Sequence, residues 1–347
     1  MKRSATQSSR GFSLVELLVA MSLSLLILGG VVTLFRQGIL AGNLTTQKIE
    51  MQQNARVALN LMAQDLSIAG TGFPQGGLQL PTGTDSQNPR YGCDIDGDCH
   101  VPQDARDDWL YSITPGDGLG PTINGTATDI VTLVYRDPNL PLDRNFLTSI
   151  SDEGDAIQIN ASDVSLVGDA AIGIRNGDVL VLCNANHCAA GTVTSISSDT
   201  IRFDDDDPLR FNQTGAASGK ISSLANPGSP VVYPPTSAYR VHVIRYYIDS
   251  STNRLMRQVN ALPPVPVAEN IENLQITYDT FDDATLVATS NLSSLPSTYG
   301  VLNQIRKINI TIDVRSATQD FRKARYERFS LKTSVSARNL AFRDRYL

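Results

Sequence analysis

Residues 12–35 read FSLVELLVAMSLSLLILGGVVTLF, twenty-four residues whose one charged side chain is Glu16. As a helix rising 1.5 Å per residue they cover about 36 Å, enough to cross a bilayer. Lys2, Arg3 and Arg10 precede the run, and the next basic residue is Arg36. The positive-inside rule then puts residues 1–11 in the cytoplasm and the bulk of the chain outside. A cleavable secretory signal has a shorter apolar core, about 7–15 residues, followed by a small-residue cleavage site. An ordinary signal anchor gives no reason for Glu16, because an ionised carboxylate inside a membrane helix costs about 2.5–3.5 kcal/mol on insertion scales. The carboxylate asks for a partner.

Downstream, no proline interrupts residues 37–69, and apolar side chains recur at Met51, Ala55, Ala58, Met62, Leu66 and Ala69. That spacing of three and four predicts a continuing helix with one apolar face to pack on a sheet, stopped by Gly70, Gly72 and Pro74. Gly29-Gly30 is the one weak point, a place for bending or for close helix packing. Residues 71–128 are rich in Gly, Pro, Asp and Asn without a sustained period and read as a long surface excursion. Alternation then predicts strands over 130–135, 179–183, 192–196, 239–248, 274–278, 308–314 and 329–335. Turns fall at Asn176-Gly177-Asp178 and at residues 249–253, and Pro227, Pro230, Pro234 and Pro235 mark a loop near 225–237 dividing the head into two β-rich parts.

With 41% hydrophobic and 18% charged residues, the 347-residue chain has the make-up of a folded protein with a sizeable core. The formal net charge is -6, and a product starting at Phe12 loses Lys2, Arg3 and Arg10 to reach -9, which argues against a general nucleic-acid binder. Residues 306–347 are locally basic, eleven Lys and Arg against four acids, but their spacing is that of a solvated strand face.

Cys93 with Cys99 and Cys183 with Cys188 form two close pairs, neither in C-x-x-C spacing. An even count at short range outside the cytoplasm predicts two disulfides, with zinc held by the cysteines and His100 and His187 as the alternative. Within the first pair, Asp94, Asp96 and Asp98 alternate as carboxylates do in oxygen-rich calcium loops, with Asp104, Asp107 or Asp108 within reach. Gly97 comes too early for an EF-hand, and Cys99 stands where that motif has its turn glycine, so a polar turn closed by a disulfide is the competing reading. No other cofactor is implied. Asp204 to Asp207 read as a solvated turn, and His100, His187 and His242 sit in no nucleophile, phosphate-loop or H-E-x-x-H motif, which gives no support to catalysis.

Arg10-Gly11-Phe12-Ser13-Leu14-Val15-Glu16-Leu17 resembles the class III signal of type IV prepilins: a basic leader ending in Gly, then Phe, then Glu as the fifth mature residue. The resemblance implies that a cytoplasm-facing prepilin peptidase cuts after Gly11 and methylates the new amine on Phe12. It also implies that Glu16 pairs with the N-terminal amine of a neighbouring subunit. Many major pilins carry a proline in this helix; here none occurs before Pro74. NARVALNLMAQDLSIAG, and the order IRNGDVLVLCN, YRVHVIRYYIDSSTNRLMRQVN, VAENIENLQITYD and INITIDVRS, are similar to PilW-type minor pilins.

The expected fold is therefore α+β, a long N-terminal transmembrane helix packed on a mostly antiparallel β-rich head. Its parts are a leader at 1–11, an apolar half-helix at 12–35, an amphipathic half at 36–70 and a periplasmic head at 71–347. The resemblance implies a non-enzymatic, single-pass inner-membrane protein that moves to a pilus fibre or its tip. Implied partners are the prepilin peptidase, other minor pilins, the major pilin, a tip adhesin and membrane lipid, with roles in adhesion and twitching motility. A type II secretion pseudopilin shares these features. A DNA-uptake pilin using the basic C-terminal region and a membrane-anchored enzyme are further alternatives. Mass spectrometry of the membrane-extracted protein should find Phe12 at the N-terminus; an intact leader in cells with active peptidase contradicts the cleavage expectation.

Overall fold

The computed structural model describes residues 13–74, 76–83, 90–91, 109–282, 285–293, 295, 304–320 and 324–340. A single helix, α1, runs from Leu14–Ile68 without a break, so Gly29-Gly30 neither unwinds nor interrupts it. Ser22 and Thr33 point no unmet hydroxyl into the apolar stretch, because each donates back to a backbone carbonyl, Val19 at 2.9 Å and Gly29 at 2.8 Å. Met51, Ala55, Ala58, Leu59, Met62, Asp65 and Leu66 are its buried residues, the anticipated stripe with Leu59 and Asp65 added. Gly70 and Gly72, both at positive φ, turn the chain away.

The strands are β1 Leu78–Gln79, β2 Trp109–Leu110, β3 Ile113–Gly116, β4 Thr122–Ile123, β5 Thr126–Ala127 and β6 Ile130–Arg136. Then come β7 Ser149–Ile150, β8 Ala156–Gln158, β9 Val179–Cys183, β10 Cys188–Thr192, β11 Ser195–Ser197 and β12 Thr200–Arg202. Last are β13 Ser237–Asp249, β14 Arg254–Val259, β15 Val265–Ala268, β16 Ile271–Asp282, β17 Val287–Leu292, β18 Ile305–Arg315 and β19 Arg328–Ser336. The largest sheet has the order β10-β9-β13-β14-β15, with β6 on the opposite flank of β13 and β3 beside β6. A second sheet has the order β17-β16-β18-β19, a third β11-β12-β8-β7, and β1-β2 and β4-β5 are short ladders. The ladders of these sheets are antiparallel.

Two differences from the sequence reading have physical causes. Residues 71–128 are not simply a surface excursion: Phe73, Leu78, Leu80, Tyr91, Leu110, Tyr111 and Ile113 are buried there. Two-residue strands carry no readable period, so isolated core side chains hide among Gly and Pro. The strand expected over 192–196 divides at Val193, whose amide donates to Asp178 O while its carbonyl accepts from Gly177, leaving β10 and β11 in different sheets. β13, which follows the proline-bearing loop, pairs with β6 and β9, which precede it, so one sheet runs across the 225–237 segment.

The second half of α1 lies against β18, β19 and β15, and one apolar core joins it to both large sheets. At the near end Gln47 donates to Thr318 beyond β18; at the far end Asn339, beyond β19, donates to Ala69 O and Thr71 Oγ1. The helix therefore runs parallel to β19. Asp65, buried in this interface, accepts from the Tyr246 hydroxyl at 2.6 Å and from Arg257 Nε at 2.8 Å. Removing that carboxylate strands a fully buried hydroxyl and a half-buried guanidinium. Asp65→Ala should cost about 3 kcal/mol and Asp65→Asn, which keeps an acceptor, clearly less. Urea unfolding of the full chain in nanodiscs, followed by Trp109 fluorescence, checks this; equal stability of both variants and wild type contradicts it.

Candidate functional site

Ser13 is the N-cap of α1, and Ser-x-x-Glu spacing closes a capping box: the Ser13 amide donates to Glu16 Oε2 at 3.0 Å and the Glu16 amide donates to Ser13 Oγ at 3.4 Å. Two of the four amides that a helix start leaves open are thereby met within the first turn itself. Glu16 carries its negative charge in the first turn, the positive end of the helix dipole. The sequence reading placed Glu16 in an assembly role and missed this local one, although the spacing to Ser13 signals it. Gly11 and Phe12 lie outside the described residues.

From Leu14 to Ile39 every residue of the helix is exposed, a free length of 26 residues or about 39 Å. Sixteen large apolar side chains are bare along it, among them Leu14 at 79%, Leu26 at 74% and Phe35 at 72% exposure. Covering that many aliphatic and aromatic groups is worth tens of kcal/mol, on the order of 1.5–3 kcal/mol each. The segment is long and apolar enough to cross a membrane. Leu40, Leu44 and Gln47, half-buried, begin the turn of the helix toward the head.

The end of the head away from the helix N-terminus carries the disulfide. β6 ends where the Arg136 amide donates to Thr71 O, just past the helix, and β13 runs antiparallel to it, so β13 begins far out and returns. β9 pairs with that outer start. Cys183 and Cys188 face each other across the β9-β10 hairpin and are bonded. The other expected pair, Cys93 and Cys99, and the calcium candidates Asp94, Asp96 and Asp98 lie outside the described residues.

The described head holds its buried charges in closed structural joints. Arg240 bridges Asp137 and Asp178 and donates to the carbonyls of Gly173 and Ile172. Burial opposes ionisation of Asp137, but the Asn139 amide and Arg240 outweigh it and hold the carboxyl below its usual range. Burial lowers His242, whose ring stands edge-on to Tyr135 at 5.3 Å. Glu272 is likewise buried yet held low by Arg328, Asn124 and Arg315, so part of the basic C-terminal stretch pairs with acids of its own sheet. The acidic run is not a purely solvated turn: Asp207 is buried, accepts from the amides of Leu209 and Asn212, and is raised by burial. Among the described residues no group of three or more His, Cys, Asp or Glu is arranged to hold a metal ion.

Asp129 fastens the two large sheets. Its carboxylate accepts from Ile276 N at 2.6 Å and Gly118 N at 2.9 Å, and its own amide donates to Leu274 O. Burial, with a smaller push from Asp117, raises its pKa to about 6 despite those donors. A carboxyl raised in the folded state favours folding fully below its unfolded value near 3.8, and that contribution declines as pH rises through about 6.

The residues 6–32 match the prokaryotic N-terminal methylation motif. Searches of curated proteins and of solved structures find no match. The motif and the long apolar helix support a membrane-anchored, type IV pilin-like protein, processed by prepilin peptidase and assembling with other pilins. For the head, Asp129→Asn should flatten the stability profile between about pH 4 and 6.5 by on the order of 2 kcal/mol. Urea unfolding at stepped pH reads this; superimposable wild-type and variant profiles contradict it.

Proposed function

We propose that the chain is a minor pilin of PilW type, a non-enzymatic subunit that helps start a type IV pilus and sits at or near its tip. The observation that carries the reading is the pairing of a bare apolar half-helix with Glu16 at its very start, inside a matched methylation motif. In lipid or among neighbouring helices that apolar surface is covered, while the second half of the same helix carries a large head. The head supports a subunit present in few copies, since its bulk is awkward to repeat along a fibre lattice.

Cleavage after Gly11 leaves a free amine on Phe12, four residues before Glu16 and about 6 Å along the axis. The capping box commits Glu16 Oε2 to Ser13 and keeps the carboxylate at the helix start, where a staggered neighbour brings its own N-terminal amine. An ammonium and a carboxylate paired there offset a burial cost that either charge alone would bear, and the pair sets axial register.

Glu16→Ala is expected to leave membrane insertion and cleavage intact while impairing co-purification with other pilins and formation of surface pili. Glu16→Gln should be similarly defective, because an amide does not neutralise an ammonium. Complementation of a deletion strain at matched protein levels reads both, and wild-type scores for both variants contradict the pairing role. In the deletion strain itself, a larger loss of protein secretion than of pili and twitching moves the reading to a type II secretion pseudopilin.

A further inference from the structure

An exposed apolar cluster of the described head lies at its outer end, in the lobe built on the third sheet. Segment 146–150, which includes β7, faces segment 231–236 across a groove of about 520 Å³. Leu147, Ile150 and Tyr233 form the floor and pack on the lobe's own core. Phe146, Val231 and Val232 form the rim, 62%, 39% and 53% exposed. A floor tied to the core keeps the groove in shape, and the bare rim leaves it open.

Two features define what fits. β7 is the outermost strand of its sheet. The facing segment carries Pro234 and Pro235, which have no amide to donate, and among the described residues its backbone meets the edge once, where the Leu147 amide donates to Thr236 O. The edge is thus available to an extended chain whose alternate side chains enter the groove. The second feature is charge. Residues 144–224 hold eleven acids against five Lys and Arg, and Asp152 and Glu153 stand exposed directly after β7. An acidic partner would be repelled.

We infer that this groove docks an extended segment of a partner protein, apolar at alternate positions and carrying Lys or Arg between them. The interaction stands whichever pilin-like assembly the helix serves, because it uses only the outer lobe.

The test uses the full chain in nanodiscs and three synthetic ten-residue peptides: alternating Val and Lys, alternating Val and Glu, and the Val/Lys peptide with prolines replacing alternate valines. Fluorescence anisotropy should show binding of the Val/Lys peptide alone. Phe146→Ser/Val232→Ser should weaken it at least tenfold, and Asp152→Asn/Glu153→Gln several-fold at low salt. Both double variants change exposed residues, and retention of the Cys183–Cys188 disulfide and of the thermal midpoint shows that they fold. The inference is overturned by no binding, by equal binding of the Glu or proline peptides, or by variants that bind like wild type. Self-association of the chain that Phe146→Ser/Val232→Ser abolishes overturns it in favour of a second copy as occupant.

Discussion

One constraint governs this molecule: a single helix must satisfy two solvents. Its second half offers a stripe, Met51 to Leu66, to a β-sheet in water, and its first half offers apolar side chains on every face to whatever surrounds it. Packing on one side needs a stripe of about 100°, whereas covering all sides needs lipid or a ring of other helices. The chain changes from one pattern to the other near Leu40 with no break in hydrogen bonding. A rigid rod therefore links the head to whatever holds the apolar half.

The head is built to grip that rod at several points along its length. Gln47 meets Thr318 at the near end, Asp65 meets Tyr246 and Arg257 in the last turn, and Asn339 reaches back from beyond β19 to the last carbonyls of the helix. Each contact joins residues more than 180 positions apart in sequence. Such long-range ties fix the angle between head and helix, which in an assembly fixes where the outer lobe points. The disulfide hairpin and the open groove both lie at that outer end, away from the apolar half of the helix.

Much of this was legible in the sequence where one period ran for several turns or residues. The helical stripe and the long strands β13, β16, β18 and β19 each announced themselves by spacing, and Cys183 and Cys188 by their closeness. What stayed hidden depends on partners distant in sequence. Asp65 looks like a solvent-facing acid until Tyr246 and Arg257 arrive from the sheet, and Asp129 gains its role only when Ile276 and Gly118 converge on it. Leu78, Tyr91 and Leu110 went unread because two-residue strands have no period. At the functional end the Ser13 cap of Glu16 is legible in the Ser-x-x-Glu spacing, whereas a partner for Glu16 in assembly is implied by family resemblance alone.

The division of the helix is tested most directly by hydrogen–deuterium exchange on the full chain in lipid nanodiscs, read amide by amide along α1. Residues 14–35, in hydrocarbon, should stay protected for hours, residues 37–46, solvated apart from half-buried Leu40 and Leu44, should exchange within minutes, and residues 51–66 should be protected by the head. Exchange of residues 14–35 as fast as that of residues 37–46 would contradict the account, because it would mean that water, and not lipid, surrounds the apolar half.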